Sequence, residues 1–320
     1  MNHCLAHVGM NKAGSTTIQE WLRANRDELR QQYIVYDPLE DGPPDTLTHD
    51  FGFAAIGLTN RRLSAPARAR FKIETPEDHR EKREEFMRRA DASIEAAGER
   101  LYVISSERLQ GWLINDEELT RFADWLSARF GKVEYVIYAR DQLDWYASAY
   151  AQAIKTGLAL TLETFMSRHP LIDYAAMAER WAGVAEPGCV TVRLLERDSL
   201  SGGSLIPDFA DLIGANPGGM ADLPRQNLSM TAEAIGEMAE LNARVEADPA
   251  LANDPAIKAE RQELIKTVDG PPFKLPQAVA LDIARRHAAS NEKLRQTYFP
   301  DREALFAKSH TVLQESEGAA

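Results

Sequence analysis

The residues best suited to chemistry stand near the N-terminus, directly after a short apolar run. The segment reads His7-Val8-Gly9-Met10-Asn11-Lys12-Ala13-Gly14-Ser15-Thr16-Thr17. A glycine-bearing turn at the start of a helix presents backbone N–H groups and the positive end of the helix dipole, which together attract anions. Lys12 adds a positive charge, and three consecutive hydroxyls can donate hydrogen bonds to the same anion. The segment therefore predicts a phosphate-binding loop, with a turn that only caps a helix as the alternative.

The order of residues in this loop differs from the common ATP-binding pattern, in which lysine follows the last glycine and precedes serine or threonine. Here Lys12 precedes Gly14, and Ser15 follows it. This order resembles the 5′-phosphosulfate loop of sulfotransferases that use 3′-phosphoadenosine 5′-phosphosulfate (PAPS). The resemblance implies a nucleotide site that includes Lys12, Ala13, Gly14, Ser15, Thr16 and Thr17.

A second segment of interest, residues 136–141, ends a predicted strand and opens a helix with the sequence Val-Ile-Tyr-Ala-Arg-Asp. Arg140 stands at the carboxyl end of that strand, where open parallel sheets bind their ligands. Along the helix, Asp141, Asp144 and Ser148 share one face because of their spacing. Arg140 can contact a phosphate through two N–H groups, and the Ser148 hydroxyl can complete the contact. The alternative is an arginine that pairs with Asp144 or with a neighbouring helix.

Arg140-Asp141 with Ser148, Tyr150 and Gly157 resembles the 3′-phosphate motif of the same sulfotransferases. Two further segments are similar to parts of that family: residues 103–107 (Val-Ile-Ser-Ser-Glu) to a strand end, and residues 225–229 (Arg-Gln-Asn-Leu-Ser) to a loop that returns to the nucleotide. The resemblance is to bacterial members and covers most of the chain. It is vague between residues 37 and 99, where such enzymes usually bind their acceptor.

The resemblance implies transfer of a sulfuryl group from PAPS to a hydroxyl or amine acceptor, with adenosine 3′,5′-bisphosphate as the second product. Lys12 would stabilise the leaving phosphate, and the N–H groups of residues 14–17 would share that charge. The 3′-phosphate would be held by Arg140 and Ser148, with Arg225 and Asn227 as further candidates.

Two residues are candidates for the base that deprotonates the acceptor. Glu107 follows a predicted strand at its carboxyl end, so it should face the same crevice as Lys12. His49 lies in a segment that reads as irregular, and its alternative is a plain surface histidine. Glu107 also has a structural alternative, as a partner of Arg108 or Arg140.

The elements that must position these residues alternate along the first two thirds of the chain. Short apolar runs predict strands at residues 4–8, 33–36, 101–104, 133–138 and 189–194. Strands that alternate with helices imply an α/β fold, a P-loop-type parallel sheet covered by helices on both faces. From about residue 229 the pattern is helical, which predicts a single domain over residues 1–320 with a helical C-terminal elaboration.

Helix boundaries follow from capping residues and from apolar spacing. A helix is predicted from about Ser15 to Gln32, and a long polar region after it reads as irregular. Thr75-Pro76-Glu77-Asp78 predicts a helix start, because it combines a capping hydroxyl, proline in the first turn and carboxylates behind it. That helix should end at Gly98, and Asn115 should cap the next one.

Composition limits the classes of function. The net charge of −12 argues against a nucleic-acid binder, which needs a basic surface. No apolar run approaches the roughly 20 residues of a membrane span, and no leader is evident, so a cytoplasmic protein is predicted. The two cysteines, Cys4 and Cys189, are expected to be core thiols. No metal is expected, because the sequence offers no metal-binding cluster and a sulfuryl group carries less charge than a phosphoryl group.

Two other functions compete with the sulfotransferase hypothesis. A phosphate-loop kinase would use ATP and magnesium, but it predicts a lysine directly after Gly14. A non-catalytic member of the fold would bind a nucleotide or a partner without turnover, yet Lys12, Gly14, Arg140 and Ser148 are all in place. The acceptor stays open among carbohydrate, small phenol, lipid headgroup and peptide, with a saccharide or small metabolite favoured by analogy. The oligomeric state is also open.

Overall fold

The structure is a computed structural model that describes residues 2–59, 63–169, 171–221 and 230–318. The chain divides into two compact units, one of Met1–Ala139 with Ala176–Leu223 and the other of Arg140–Ala175 with Pro224–Ala320. The single domain predicted from the sequence stays a prediction. What the structure adds is that the helical C-terminal part groups with an internal segment, residues 140–175.

The sheet lies in the first unit. Its strands are β1 (His3–Val8), β2 (Ile34–Val35), β3 (Leu101–Ser106), β4 (Lys132–Ala139) and β5 (Val190–Leu194). All neighbours are parallel, in the order β2-β3-β1-β4-β5. Each predicted strand is present within one or two residues, although Cys189 lies just before β5. Because β1 is central, the loop that follows it lies at the middle of the carboxyl edge, where parallel sheets bind ligands.

Helices are numbered in chain order among the described residues. They are α1 (Ser15–Ala24), α2 (Arg26–Gln31), α3 (His49–Gly57), α4 (Ala65–Phe71), α5 (Pro76–Ala97), α6 (Glu107–Trp112), α7 (Asp116–Ser127), α8 (Gln142–Lys155), α9 (Leu162–Arg168), α10 (Tyr174–Ala182), α11 (Leu205–Leu212), α12 (Ala232–Ala247), α13 (Pro255–Lys266), α14 (Gln277–Tyr298) and α15 (Ala307–Gly318). Short 3₁₀ turns occupy Arg197–Ser199, Ser201–Gly203 and Pro249–Asn253.

Helices cover both faces of the sheet, as predicted. On one face the sheet packs against α1 and α11 through a core that includes Leu5, Ile18, Trp21, Val103, Val136 and Phe209. On the other face, the Trp181 ring of α10 lies 5.0 Å from that of Tyr135 and 6.2 Å from that of Phe122 in α7. Successive residues of β4 thus point to opposite sides, and both sides are covered, which is why residues 135–139 form an apolar run.

The predicted caps of α5 and α7 are confirmed. Thr75 accepts a hydrogen bond from the Asp78 N–H, and the Asp78 carboxylate accepts one from the Thr75 N–H, which forms a capping box. Asn115 accepts a hydrogen bond from the N–H of Glu118 at the start of α7. Gly98 follows the last residue of α5 with a positive φ of 63°.

The prediction of one helix over residues 15–32 is wrong, because the helix is interrupted at Asn25, between α1 and α2. The Asn25 side chain donates a hydrogen bond to the carbonyl of Trp21 and exchanges two more with the peptide groups of Ala221. A buried asparagine that hydrogen-bonds to backbone groups competes with the helical ladder, so the helix ends there.

The irregular region predicted after residue 37 is also corrected, since it contains α3 and α4. Gly52 and Gly57 lower the intrinsic helix propensity of α3 by about 1 kcal/mol each relative to alanine. A Cβ on Gly52 would come within 2.1 Å of the Phe86 ring, so α5 packs directly on the backbone of α3. Tertiary packing therefore outweighs a weak local preference.

Candidate functional site

The phosphate loop begins where β1 ends, at a close contact between two backbone segments. The N–H of Gly9 donates to the carbonyl oxygen of Ser106, the last residue of β3, at 2.9 Å. A Cβ on Gly9 would lie 2.8 Å from the Ser15 Oγ and 2.9 Å from the backbone nitrogen of Glu107. Glycine is thus required by space, and the loop is held against the turn that carries Glu107.

Within the loop, the Ser15 hydroxyl accepts a hydrogen bond from the N–H of Met10 and donates one to the Met10 carbonyl, both at 3.1 Å. The N–H of Ala13 donates to the same carbonyl at 3.2 Å. Ser15 is buried, so its hydroxyl closes the loop on itself. Three hydroxyls were predicted to face an anion, and two of them stay candidates for that contact. They belong to Thr16, which is exposed, and Thr17, which is half-buried.

The backbone of the loop turns twice through the left-handed region, with φ of 64° at Lys12 and 84° at Gly14. Gly14 is the N-cap of α1, and as a glycine it has no side chain with which to cap the helix. The first turn of α1 also contains no acidic residue. Its N–H groups therefore have no partner within the helix, which is the arrangement that binds anions. A Cβ on Gly14 would lie 2.2 Å from the Leu205 Cδ2, so α11 packs directly on the loop.

Glu107 begins α6 and is half-buried. The hydroxyl of Thr16 donates to its Oε1 at 3.5 Å, which brings the candidate base and the start of α1 together. Burial raises the pKa of the Glu107 carboxyl, and the neighbouring carboxylate of Asp50 raises it further, while Arg108 and Lys12 act against them. A carboxylate with a raised pKa is suited to accept a proton near neutral pH.

Asp50 is a residue that sequence reasoning missed. Its Oδ1 accepts the N–H of Glu107 at 2.9 Å, its Oδ2 accepts the Nε–H of Arg108 at 3.1 Å, and its carbonyl accepts the Ser106 hydroxyl at 2.6 Å. One residue of α3 therefore fixes the backbone of the turn between β3 and α6. No sequence signal identifies this contact, because Asp50 and Glu107 are 57 positions apart.

The alternative base, His49, lies at the start of α3, not in an irregular segment, and is 2% exposed. Its Nδ1 lies 2.6 Å from the carbonyl oxygen of Asp37, and its Nε2 accepts the N–H of Ser105 at 3.1 Å. Burial lowers the pKa of His49 to about 4. In β3, strand β2 pairs only with Leu101 and Tyr102. Further along β3, the His49 imidazole accepts the Ser105 N–H that a longer neighbouring strand would otherwise bind. Both ring nitrogens are engaged, so we assign His49 a structural role and keep Glu107 as the candidate base.

His7 lies within β1, two residues before Gly9. It is fully buried, and its Nδ1 lies 2.8 Å from the Ser105 Oγ. Its ring meets those of Tyr138 and Phe209 edge-on, at 5.7 and 5.8 Å between centroids. Burial lowers the pKa of His7 to about 3, so the imidazole is neutral.

Arg140 and Ser148 lie in the second unit. The Tyr174 hydroxyl accepts the Arg140 N–H at 3.0 Å and donates to the Arg140 carbonyl at 2.8 Å, which fixes the backbone at this residue. Asp141 caps α8 and also accepts two hydrogen bonds from Ser309. Ser148 is half-buried two turns further along α8. Asp144, considered above as a structural partner of Arg140, forms an ion pair with Lys308 of α15.

Some predicted features are not tested by these contacts. Arg225 and Asn227 lie outside the described residues. Over the described ranges, no group of three or more His, Cys, Asp or Glu side chains is arranged to hold a metal ion. In the same part of the chain, no helix is both long enough and apolar enough to cross a membrane.

Comparison with known proteins gives little beyond this geometry. No family model matches the chain. A protein of Archaeoglobus fulgidus described as uncharacterized is 30% identical over 112 residues, which span 35% of this chain and 30% of that relative's length. A crystal structure of a sulfotransferase from Alicyclobacillus acidocaldarius is similar with a TM-score of 0.45 and 14% identity, over 92% of this chain and 94% of the other. At that TM-score the likeness does not bear on what the chain does.

Proposed function

We propose that the chain transfers a sulfuryl group from PAPS to a hydroxyl or amine acceptor on the phosphate loop of its first unit. The observation that carries the proposal is the meeting of a cationic loop with a carboxylate. Lys12 and the glycine-capped start of α1 lie beside Glu107, which hydrogen-bonds to Thr16. The order of the loop, with Lys12 before Gly14, supports a phosphosulfate donor over ATP.

The main chain of the loop suits a phosphate group. Left-handed residues at positions 12 and 14 turn backbone N–H groups to one side of a loop, a conformation that binds anions elsewhere in proteins. The absence of a Cβ at Gly14 permits the left-handed turn and lets α11 pack against the loop. Lys12 supplies the charge that a loop of N–H groups lacks.

PAPS, when bound, supplies a sulfuryl group attached to a phosphate that can leave. Glu107 accepts the proton of the acceptor hydroxyl or amine while that oxygen or nitrogen bonds to sulfur. Lys12 and the first N–H groups of α1 stabilise the charge that grows on the phosphate oxygen as the old sulfur–oxygen bond breaks. Both interactions strengthen in the transition state, so both lower the barrier.

The remaining parts of the proposal rest on the sequence. Arg140 and Ser148 are proposed to hold the 3′-phosphate, and Arg225 and Asn227 stay candidates for the same end of the nucleotide. The acceptor is proposed to be a saccharide or another small metabolite, without a metal cofactor. A cytoplasmic location is proposed as well, and it is supported by the two buried free thiols, Cys4 and Cys189.

Ligand-dependent stability tests the proposal without a known acceptor. Adenosine 3′,5′-bisphosphate at 100 times its Kd should stabilise the folded chain by about 2.7 kcal/mol. We expect it to raise the Tm, and ATP with magnesium to leave the Tm unchanged. A Tm that rises with ATP and magnesium alone would favour the kinase. A Tm that rises with adenosine 3′,5′-bisphosphate, without transfer of labelled sulfate to any acceptor in a broad panel, would favour a non-catalytic role.

A further inference from the structure

Two arginine side chains lie on one phenylalanine ring beside the candidate base. The guanidinium carbon of Arg108 is 4.6 Å from the centroid of the Phe51 ring, and that of Arg70 is 4.8 Å from the same centroid. The ring of Trp112 meets Phe51 at 5.4 Å, and Arg108 also lies 5.7 Å from that indole. We call Phe51, Arg70, Arg108 and Trp112 the Phe51 cluster.

The Phe51 cluster is joined to Glu107 by the backbone. Arg108 is the next residue along α6, and Asp50 accepts one hydrogen bond from each of the two, at 2.9 and 3.1 Å. Phe51 directly follows Asp50 in α3. The cluster therefore lies next to the residue proposed to meet the acceptor hydroxyl.

The charges in the cluster are not balanced. Asp50 binds the Nε–H of Arg108, but Arg70 forms no hydrogen bond or ion pair with any described residue. Arg70 is exposed, and its guanidinium carbon lies over the rings of Phe51 and Phe71, 4.8 and 5.3 Å from their centroids. A guanidinium stacked on a ring keeps its in-plane N–H donors available for other partners. Two like charges on one ring also repel each other, and a bound anion would relieve that repulsion.

The position of Arg70 over the two phenylalanine rings prepares its side chain to bind an anion. A long side chain normally loses rotamer freedom when it binds a ligand, at a cost of about 0.5–1.5 kcal/mol. An arginine already held on Phe51 and Phe71 has lost part of that freedom, and its planar group suits a two-pronged contact with a carboxylate.

We propose that the Phe51 cluster binds an anionic group on the acceptor, a carboxylate or a sulfonate-like group, and thereby selects acidic hydroxyl compounds. The inference rests on the proposed function, because only that function makes the bound acid an acceptor. Binding of an anion beside Glu107 does not depend on which donor the protein uses. It applies within a chain of net charge −12, where a local positive surface is needed to hold an acid.

Three probes that differ in one group test the proposal. They are 4-hydroxybenzoate, 4-hydroxybenzenesulfonate and the neutral 4-hydroxybenzyl alcohol, each titrated by NMR with and without adenosine 3′,5′-bisphosphate. We expect at least one of the two acids to bind 10-fold or more tightly than the alcohol, and the stronger one identifies the anionic group. Equal affinity of all three, or no binding of either acid at 10 mM, overturns the proposal.

Variants locate the contact. Arg70→Gln should remove the preference for the acid, because it removes the charge and leaves a side chain that reaches Phe51. Arg30→Gln, on exposed α2, is the matched control and should keep the preference. A preference that survives Arg70→Gln contradicts the proposal. Nucleotide binding is measured separately on the wild type and on Arg70→Gln: if the wild type binds no adenosine 3′,5′-bisphosphate, the proposed function fails, whatever the acid probes show.

Discussion

Lys12 takes a left-handed backbone conformation one residue before the buried Ala13, and its charge acts against the raised pKa of the Glu107 carboxyl. Lys12→Ala should lower turnover by roughly 100-fold, the scale for loss of a preorganised transition-state charge. The Tm should change little, since both residue types bear the same strain at positive φ.

Lys72→Ala is the matched control, because Lys72 is also left-handed, with φ of 52°, and is exposed. Turnover is measured as transfer of labelled sulfate from PAPS to an acceptor found in a panel. Wild-type turnover in Lys12→Ala would mean that the loop does not stabilise the leaving group.

Asp50 should control the pH at which Glu107 works. Turnover is expected to fall as pH drops through the raised pKa of the Glu107 carboxyl, because the protonated base cannot accept another proton. Asp50→Asn keeps an oxygen for the Glu107 N–H but removes the charge that raises this pKa. The acidic limb of kcat/KM against pH should therefore move to lower pH.

Asp45→Asn is the control for Asp50→Asn, since Asp45 pairs with Lys82 on α5 and has no contact with Glu107 among the described residues. If Asp50 has only a structural role, Asp50→Asn should reduce activity at every pH and leave the acidic limb of the kcat/KM profile at the same pH. That result would remove Asp50 from the proton-transfer step.

At the level of residues, the place of the loop between β1 and α1 could be predicted, but its support could not. Lys12 and Gly14 lie in that loop and Glu107 directly follows β3, while their roles stay predictions. Asp50 could not be predicted, since its role arises only when α3 packs against β3. The Ser15 hydroxyl was predicted to face an anion, and burial instead turns it onto Met10.

Between elements, the packing of β1 against the turn after β3 leaves no room at Gly9. Gly9→Ala would place a methyl group 2.9–3.0 Å from backbone atoms of Glu107, which cannot rotate away. We expect a loss of 1–3 kcal/mol in the free energy of unfolding and a large loss of activity. Urea unfolding monitored by circular dichroism measures the first effect.

Gly111→Ala is the control for Gly9→Ala. Gly111 lies inside α6, and nothing stands within 4 Å of the position its Cβ would take. This substitution should leave stability unchanged or raise it by up to about 1 kcal/mol. Equal effects of the two substitutions would show that the contact at Gly9 is loose.

His49 should make the first unit sensitive to acid. In the unfolded chain the imidazole binds a proton near pH 6.5, whereas burial lowers its pKa in the folded chain to about 4. Between these values the unfolded state binds more protons, so the free energy of unfolding falls as pH falls, and above pH 6.5 the contribution is complete. Protonation also removes the Nε2 acceptor of the Ser105 N–H.

His49→Gln should reduce this dependence. The slope of unfolding free energy against pH between 6.5 and 4 should become smaller by up to about 1.4 kcal/mol per pH unit, the value for one proton. Urea unfolding at several pH values in this window gives the slope. A slope equal to that of wild type would mean that His49 is not the titrating group.

Strands could be predicted from the sequence more reliably than helices. Buried parallel strands give short, mostly apolar runs, and all five strands lie within two residues of their predicted bounds. The break at Asn25 and the presence of α3 depend on partners distant in sequence, Ala221 and Phe86. Local spacing carries no information about either partner.

For the whole molecule, the property that best tests the proposed function is its preference between nucleotides with and without a 3′-phosphate. Arg140→Ala should weaken adenosine 3′,5′-bisphosphate by about 30-fold, or on the order of 2 kcal/mol, and adenosine 5′-monophosphate hardly at all. The backbone at this position should keep its conformation, because Tyr174 binds its peptide groups.

Arg286→Ala, which removes an exposed ion pair with Asp282 on α14, is the control for Arg140→Ala. Calorimetry with both nucleotides measures the difference. Equal losses for the two ligands in Arg140→Ala would mean that Arg140 is structural. The division into two units, with residues 140–175 in the second, could not be predicted from the sequence, since no linker marks the boundary.

The contact at Gly9 also limits how this chain can diverge. Main-chain atoms set the spacing between the phosphate loop and the turn of Glu107, so drift at this position disrupts both at once. Phe51 and Arg70, by contrast, are side chains on α3 and α4 that can change singly without altering that spacing. Under the proposed function, directed evolution for new acceptors should therefore tolerate substitutions at residues 51 and 70 and none at residue 9, without a change of donor.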